Sequence, residues 1–278
     1  LHTWAKHYDL DDFPPLTRRV LVVMAGNLPL VNFHDALAVL LSGHQLVARM
    51  SHQDAVLLPH LFCEAGISED WALCTRETAK DFDAVIATGS GNTGRYFEHY
   101  FSRYPNLLRK NRHSFAVLSG NECATEFDAL AHDMFRYYGL GCRNVSLLWA
   151  PINTDIQQLI QGLQSYARLS DFSRFRNNYD YQKAAFLVNK IPFYEGGFFL
   201  LRPHQALDSP PAVVHLAQYQ DYSEVEAWAH EQKEHIQCGV GYKQNLAFGE
   251  SQMPGLMDYP DGTDTMAFLK TLRKAVVS

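Results

Sequence analysis

The chain has 278 residues, 47% of them hydrophobic and 13% aromatic, enough for one large or two ordinary domains with real cores. Its net charge of −6, without a block of basic residues, excludes the positive field that a nucleic acid or an anionic membrane requires. No apolar run approaches a membrane span and the first residues lack the sections of a signal peptide, so a cytoplasmic protein working on small molecules is expected.

RRVLVVMAG (18–26) is a valine-rich run closed by Gly-Asn-Leu-Pro, the pattern of a strand buried on both faces. FHDALAVLLSGH (33–44) reads as a helix ended by Gly43, and QLVARMS (45–51) as a second strand. HQDAVLLPHLFCEAG (52–66) reads as a helix that Pro59 is placed to kink. DFDAVIATGSGNTG (81–94) is a third strand entering a glycine-rich loop, with a helix, RYFEHYFSRY (95–104), behind it. Strands and helices alternating at this spacing make βαβ units, hence a parallel sheet with helices on both faces. SFAVLSGN (114–121) is the fourth strand.

ECATEFDALAHDMFRYYGLG then carries Phe127, Leu130, Ala131, Met134, Phe135 and Tyr138 at helical spacing. Thr125 and Asp128 are placed to cap its start, Gly139 and Gly141 to end it. VSLLWAP (145–151) is a strand, DIQQLIQGLQSYARL (155–169) a helix, and FYEGGFFLLRP and PAVVHLAQY are strands around Gly- and Pro-rich turns. YSEVEAWAHEQKEHIQ (222–237) is a helix, and FGESQMPGLMDYPDG leads to a last short one, TDTMAFLKTLRKA. The fold class is α/β, with domains expected at 1–118 and 119–250. A tail, 251–278, packs back on the first domain or serves in oligomerisation.

Five cysteines, an odd number without a CxxC pair, read as reduced thiols, and no metal site is called for. Four short segments carry chemistry. In GLGCRNVSLLW (139–149), Cys142 lies between a helix end and a strand, as an accessible nucleophile or as small apolar packing. In GNLPL (26–30), Asn27 stands at the carboxyl end of a buried strand, either as an amide donor to an oxyanion or as ordinary turn chemistry. ATGSGNTG (87–94) offers free N–H groups and a helix start to a phosphate, or is a plain turn. VARMSHQD (47–54) ends a strand with Arg49, Ser51 and His52, where an adenosine ribose arrives in a nucleotide-binding sheet or where a strand simply meets solvent.

In this order the four segments resemble the aldehyde dehydrogenase superfamily, and within it the acyl-CoA reductase family typified by the fatty-acid reductase of bacterial luminescence. GNLPL is similar to the N-x-P-L segment of that superfamily, which implies an oxyanion donor at Asn27. VARMS is similar to its strand ending K-P-[AS], with Arg49 in the lysine place. ATGSGNTG is similar to F-T-G-S-x-x-x-G, so that Thr88, Gly89, Ser90 and Gly94 hold the pyrophosphate. VLSG (117–120) lies where E-L-G-G is usual, and GLGCRNVS matches G-Q-x-C-x-[NA]-x-[ST] with Cys142 as nucleophile. The resemblance runs from about Val20 to Val145 and then, loosely, through FGESQMPG.

It implies two α/β domains, a nucleotide-binding parallel sheet and a catalytic domain, the first lacking part of the usual N-terminal segment. Two departures refine the reading. Val117 replaces the glutamate that activates water, so an acyl-enzyme is not quickly hydrolysed. His52 stands where NAD-dependent members place a ribose-binding glutamate, so with Arg49 it meets a 2′-phosphate and favours NADPH, NADH being the alternative. LDSPPAVV lies near the expected place of the nicotinamide-ribose glutamate without supplying one.

The implied activity is NADPH-dependent reduction of a fatty acyl-CoA, or of an acyl group on a protein thiol, to the aldehyde through acyl-Cys142. The alternatives are a CoA-acylating aldehyde dehydrogenase using NAD and a non-catalytic nucleotide-binding relative. A homo-oligomer is implied. Tyr137, Tyr138, Phe193, Phe198 and Phe199 are candidates for an acyl tunnel or for ordinary core.

Overall fold

The computed structural model describes residues 2–8, 17–77, 79–89 and 91–272, which fall into two compact units: residues 1–111 with 255–278, and residues 112–254. The first unit is built on a five-stranded parallel sheet. Its strands are β1 (Arg19–Val23), β2 (Gln45–Arg49), β3 (Ala72–Thr75), β4 (Ala84–Thr88) and β5 (Asn106–Arg109), in the order β3-β2-β1-β4-β5. The chain leaves β1 towards β2 on one side and returns through β4 on the other, so the carboxyl ends of β1 and β4 diverge into the crevice where such sheets bind ligands.

Alternate residues of these strands feed two cores. Val20, Val22, Leu46, Ala48 and Ile86 face a layer formed by α1 (His2–His7), α2 (Phe33–Leu41), α3 (Leu57–Glu64) and α9 (Thr265–Thr271). Leu21, Val47, Val85 and Ala87 face α4 (Gly91–Phe101) through Phe97 and Phe101. Strands apolar at both parities are what a sheet covered on both faces requires.

Residues 255–272 belong to this first unit through polar contacts as well as apolar ones. Buried Arg109 donates to Asp35 at 2.8 Å and to Thr265 at 2.6 Å and pairs with Asp261. Trp4 Nε1 donates to the Tyr259 hydroxyl at 2.8 Å, and the Tyr8 hydroxyl donates to Asp264 at 2.7 Å. Burial, then its hydrogen bonds with the Tyr259 hydroxyl and Asp264, push the Tyr8 phenol far above its ordinary range.

The second unit holds a six-stranded sheet in the order β11-β6-β7-β10-β9-β8. The strands are β6 (His113–Val117), β7 (Val145–Pro151), β8 (Tyr194–Glu195), β9 (Leu200–Pro203), β10 (Val213–Tyr219) and β11 (Ile236–Gly241), all parallel except β8. One face carries α5 (Ala124–Phe135), α6 (Ile156–Gly162) and α7 (Ser173–Val188) over Ala116, Leu148 and Val214. The other carries α8 (Tyr222–Glu231) over Phe115, Trp149 and Tyr219.

Four expectations are corrected. The run 114–121 is not a fourth strand of the first sheet. As β6 it pairs with β7 and β11 in the second, so the division falls at Arg112 rather than after residue 118. Pro59 kinks nothing, because α3 starts at Leu57 and a proline in the first turn lacks only an N–H that had no partner to give up. The N-cap of α5 is Cys123, whose N–H donates to Glu126 at 2.8 Å, rather than Thr125 or Asp128. The helix expected over 222–237 stops at Glu231, since Ile236 and Gly239 pair with His113 and Phe115 as strand.

His215 on β10 is buried, and its Nδ1 is 2.7 Å from the Ala206 carbonyl. Burial is the main cause that lowers its pKa, and it does the same for His113, where Asp208 opposes and His235 adds to the effect. The unfolded chain takes up these protons near pH 6.5, whereas the folded one resists. This contribution to stability is therefore complete above about pH 6.5 and is lost as pH falls below it. We expect the melting temperature to fall from pH 7 to pH 5, and to fall less steeply in His215→Asn. An unchanged slope would contradict the assignment.

Candidate active-site residues in the two units

Cys142 is exposed and stands on the turn that leads into β7. The backbone before it is unusual: Tyr137, Tyr138 and Gly139 follow one another in the left-handed region, at φ of 56°, 62° and 69°. For the two tyrosines this costs about 1–2 kcal/mol each. Buried Asn144 holds the loop in that shape. Its amide nitrogen donates to the carbonyls of Asp133 (3.0 Å), Met134 (3.2 Å) and Arg136 (2.9 Å), and its oxygen accepts from Gly141 N–H at 2.8 Å. The Cys142 carbonyl accepts from Ser114 Oγ at 3.0 Å.

Asp133, fully buried at the end of α5, fixes the second piece of this neighbourhood. Its carboxylate accepts from Gly249 N–H (2.6 Å), Ser251 N–H (3.1 Å) and Ser251 Oγ (2.7 Å), holding FGES to the helix that also anchors the cysteine loop. Burial raises the Asp133 pKa and these donors pull it back. Val117 is fully buried at the end of β6. The next carboxylate along, Glu122, accepts from Ser119 Oγ at 2.8 Å and Gly120 N–H at 3.2 Å and is spent on its own turn.

In the first unit, Asn27 is exposed on the loop after β1. That loop lies against the one after β2. A Cβ at Gly26 would stand 1.9 Å from Ser51 Oγ, so only glycine fits, and Leu30 N–H donates to Asp54 at 2.6 Å. The Asn27 loop is also tied to the end of β4. Asn32 Oδ1 accepts from Ala25 N–H at 2.8 Å while its nitrogen donates to Thr88 Oγ1 at 3.3 Å. A Cβ at Gly94, in the first turn of α4, would meet the Gly89 carbonyl at 3.2 Å, so the loop closes tightly on its helix. Ser90 lies outside the described residues.

The structure thus brings Asn27, Ser51, Thr88 and Gly89 onto adjoining loops at one end of the first sheet. Cys142 belongs to the second unit. Arg49, the last residue of β2, and His52 beyond it are exposed. There a cavity of about 900 Å³ is lined by Met50, His52 and Pro59 together with Thr75, Arg76 and Glu77 from the end of β3. Neither Arg76 nor Glu77 is singled out by sequence, because β3 itself is too short and too mixed to stand out. Of the aromatic tunnel candidates, Phe198 and Phe199 are buried core, while Tyr137 and Tyr138 are exposed.

No protein-family model matches the sequence, and neither does any curated protein. Solved structures do. The NAD-dependent aldehyde dehydrogenase from Sinorhizobium meliloti is 15% identical with a TM-score of 0.62, the match covering 84% of this chain and 55% of that one. The Mycobacterium tuberculosis aldehyde dehydrogenase complexed with NAD+ is 16% identical over 80% and 56%, with a TM-score of 0.61. The Bacillus cereus aldehyde dehydrogenase is 16% identical over 82% and 56%, at 0.62.

The fold is that of the aldehyde dehydrogenases. Among the described residues, no helix is long and apolar enough to cross a membrane. The chain spans a little over half the length of the three aldehyde dehydrogenases.

Proposed function

We propose that this protein reduces an acyl thioester, on CoA or on a protein thiol, to the aldehyde with NADPH, through an acyl group carried on Cys142. The observation that carries this reading is the exposed Cys142 on a loop shaped from behind by buried Asn144, with a buried valine rather than a carboxylate at the end of β6.

The Cys142 thiolate attacks the thioester carbonyl, and the new C–S bond forms as the carbonyl electrons move to oxygen. The resemblance of GNLPL and GLGCRNVS to the superfamily motifs gives oxyanion-donor roles to the Asn27 amide and to the Cys142 N–H, and such a donor contributes on the order of 3 kcal/mol to the transition state. The tetrahedral adduct collapses with departure of the CoA thiolate, which needs no protonation to leave. Because Val117 cannot accept a proton from water, acyl-Cys142 survives. NADPH, when bound, supplies the hydride. The loops at Arg49, Ser51 and His52 and at Thr88, Gly89, Ser90 and Gly94 are the residues to hold it, and the close approach of Gly94 to Gly89 together with the cavity beyond β2 suits them to an adenosine pyrophosphate.

Steady-state assays decide between this and its rival. Aldehyde from long-chain acyl-CoA and NADPH supports the proposal. A preference for free aldehyde, CoA and NAD+ supports a CoA-acylating aldehyde dehydrogenase, a reading that the Glu77 carboxylate at the cavity favours. Asn27→Ala is expected to lower kcat by about 10²-fold or more while nucleotide affinity stays within about twofold. Unchanged turnover would remove Asn27 from the chemistry.

A further inference from the structure

The cavity beyond β2 and β3 has a polarity that the four motifs do not account for. Parallel strands β2 and β3 pair Arg49 with Thr75, and Met50 N–H donates to the Thr75 carbonyl at 2.7 Å, so the two strands end side by side. The chain beyond each supplies one wall: His52 from the first, Arg76 and Glu77 from the second, with Pro59 of α3 between them. Arg76 and His52 are exposed, and neither makes an ion pair with any described residue. A volume of about 900 Å³ suits part of a dinucleotide, since small-molecule sites run to roughly 300–1,000 Å³. Arg49, the arginine that sequence alone points to, is not among the lining residues.

We infer that Arg76, with His52, seats the 2′-phosphate on the adenosine ribose of NADPH in this cavity, and that Glu77 opposes it. The inference rests on the dinucleotide reading of the first unit and names the residues that make it selective. A planar guanidinium presents two parallel N–H donors to a phosphate, and the imidazole adds a third donor. The Glu77 carboxylate repels the same dianion and suits a free ribose hydroxyl instead, so Arg76 and Glu77 pull cofactor choice in opposite directions.

The test is calorimetric titration of the full chain with three fragments: adenosine 2′,5′-bisphosphate, adenosine 3′,5′-bisphosphate and AMP. The 2′,5′-bisphosphate is expected to bind best. Arg76→Ala should weaken it by about tenfold or more while leaving AMP within about twofold, and Arg76→Lys should restore part of the loss. Glu77→Gln should tighten the 2′,5′-bisphosphate severalfold. Both side chains are exposed, and unchanged melting temperatures would show that the variants fold.

Equal affinity for the 2′,5′-bisphosphate and AMP, or equal losses of both in Arg76→Ala, overturns the inference and leaves the dinucleotide reading standing. Tightest binding of the 3′,5′-bisphosphate also overturns it, since that phosphate belongs to CoA. Failure of the unmodified chain to bind any fragment, or NADPH itself, removes the dinucleotide reading as well.

Discussion

Cys142→Ala is expected to lose aldehyde formation from acyl-CoA and NADPH by roughly 10³-fold or more, while its affinity for NADPH stays within about twofold. The two halves of this expectation have separate causes. In the proposed reaction the sulfur is the atom that bonds to the substrate carbon, so nothing left in the loop can replace it. The residues proposed to hold the nucleotide lie in the first unit, at and beyond the ends of β2 and β4, and Cys142 is in the second. Asn144 holds the loop through four hydrogen bonds from its own side chain, none of which uses the cysteine sulfur, so the substitution leaves the loop intact. Cys142→Ser is the stricter variant, since it retains an oxygen of far weaker nucleophilicity. Retained turnover in either variant would remove the acyl-cysteine step.

Asp133→Ala is expected to destabilise the protein by about 3–5 kcal/mol, measured by chemical denaturation. The substitution strips a fully buried carboxylate from three donors, the N–H groups of Gly249 and Ser251 and the Ser251 hydroxyl. The Ser251 N–H then lies buried and the Gly249 N–H half-buried without the carboxylate acceptor, which costs more than the lost bonds themselves. Asp133 also links two segments of the candidate site through its backbone, because its carbonyl accepts from Asn144 and from Gln252 Nε2 at 3.3 Å. Asp133→Asn should fall between the two, since its amide oxygen still accepts although its nitrogen faces donors. A loss below about 1 kcal/mol in Asp133→Ala would show that FGES is held mainly by other contacts.

Asp133 shows where sequence reading stops. The apolar positions around it, Leu130, Ala131, Met134 and Phe135, define the buried face of α5, and an aspartate within that stripe signals a buried partner. Periodicity marks the anomaly but not the partner, which lies more than a hundred residues further along the chain. Asn144 likewise sits in the motif around Cys142, yet its hold on the carbonyls of α5 is a three-dimensional fact. Cys142 and Asn27 stand out in the sequence as candidates because several short motifs come in one order, each at the end of an element whose apolar pattern is plain.

Elements were missed where pattern is thin. Strand β3 is only ALCT and β5 only NLLR, and both are edge strands that bury little. Helix α7, SRFRNNYDYQKAAFLV, buries only Phe175, Tyr179 and Phe186 and is polar elsewhere, so its apolar stripe is faint. Strand β11, IQCGVG, has two glycines and a register shift, neither of which favours a strand assignment. Missing β3 hid Arg76 and Glu77 as well, because the role proposed for them comes from where that strand ends.

Intact-mass spectrometry of the protein after incubation with a panel of acyl-CoAs, first without NADPH and then with it, reads the proposed intermediate directly. The account predicts one acyl group per chain, mapped to the Cys142 peptide, stable in water and discharged as aldehyde when NADPH is added. A chain that stays unacylated throughout the panel, or that carries its acyl group on a residue other than Cys142, would contradict it.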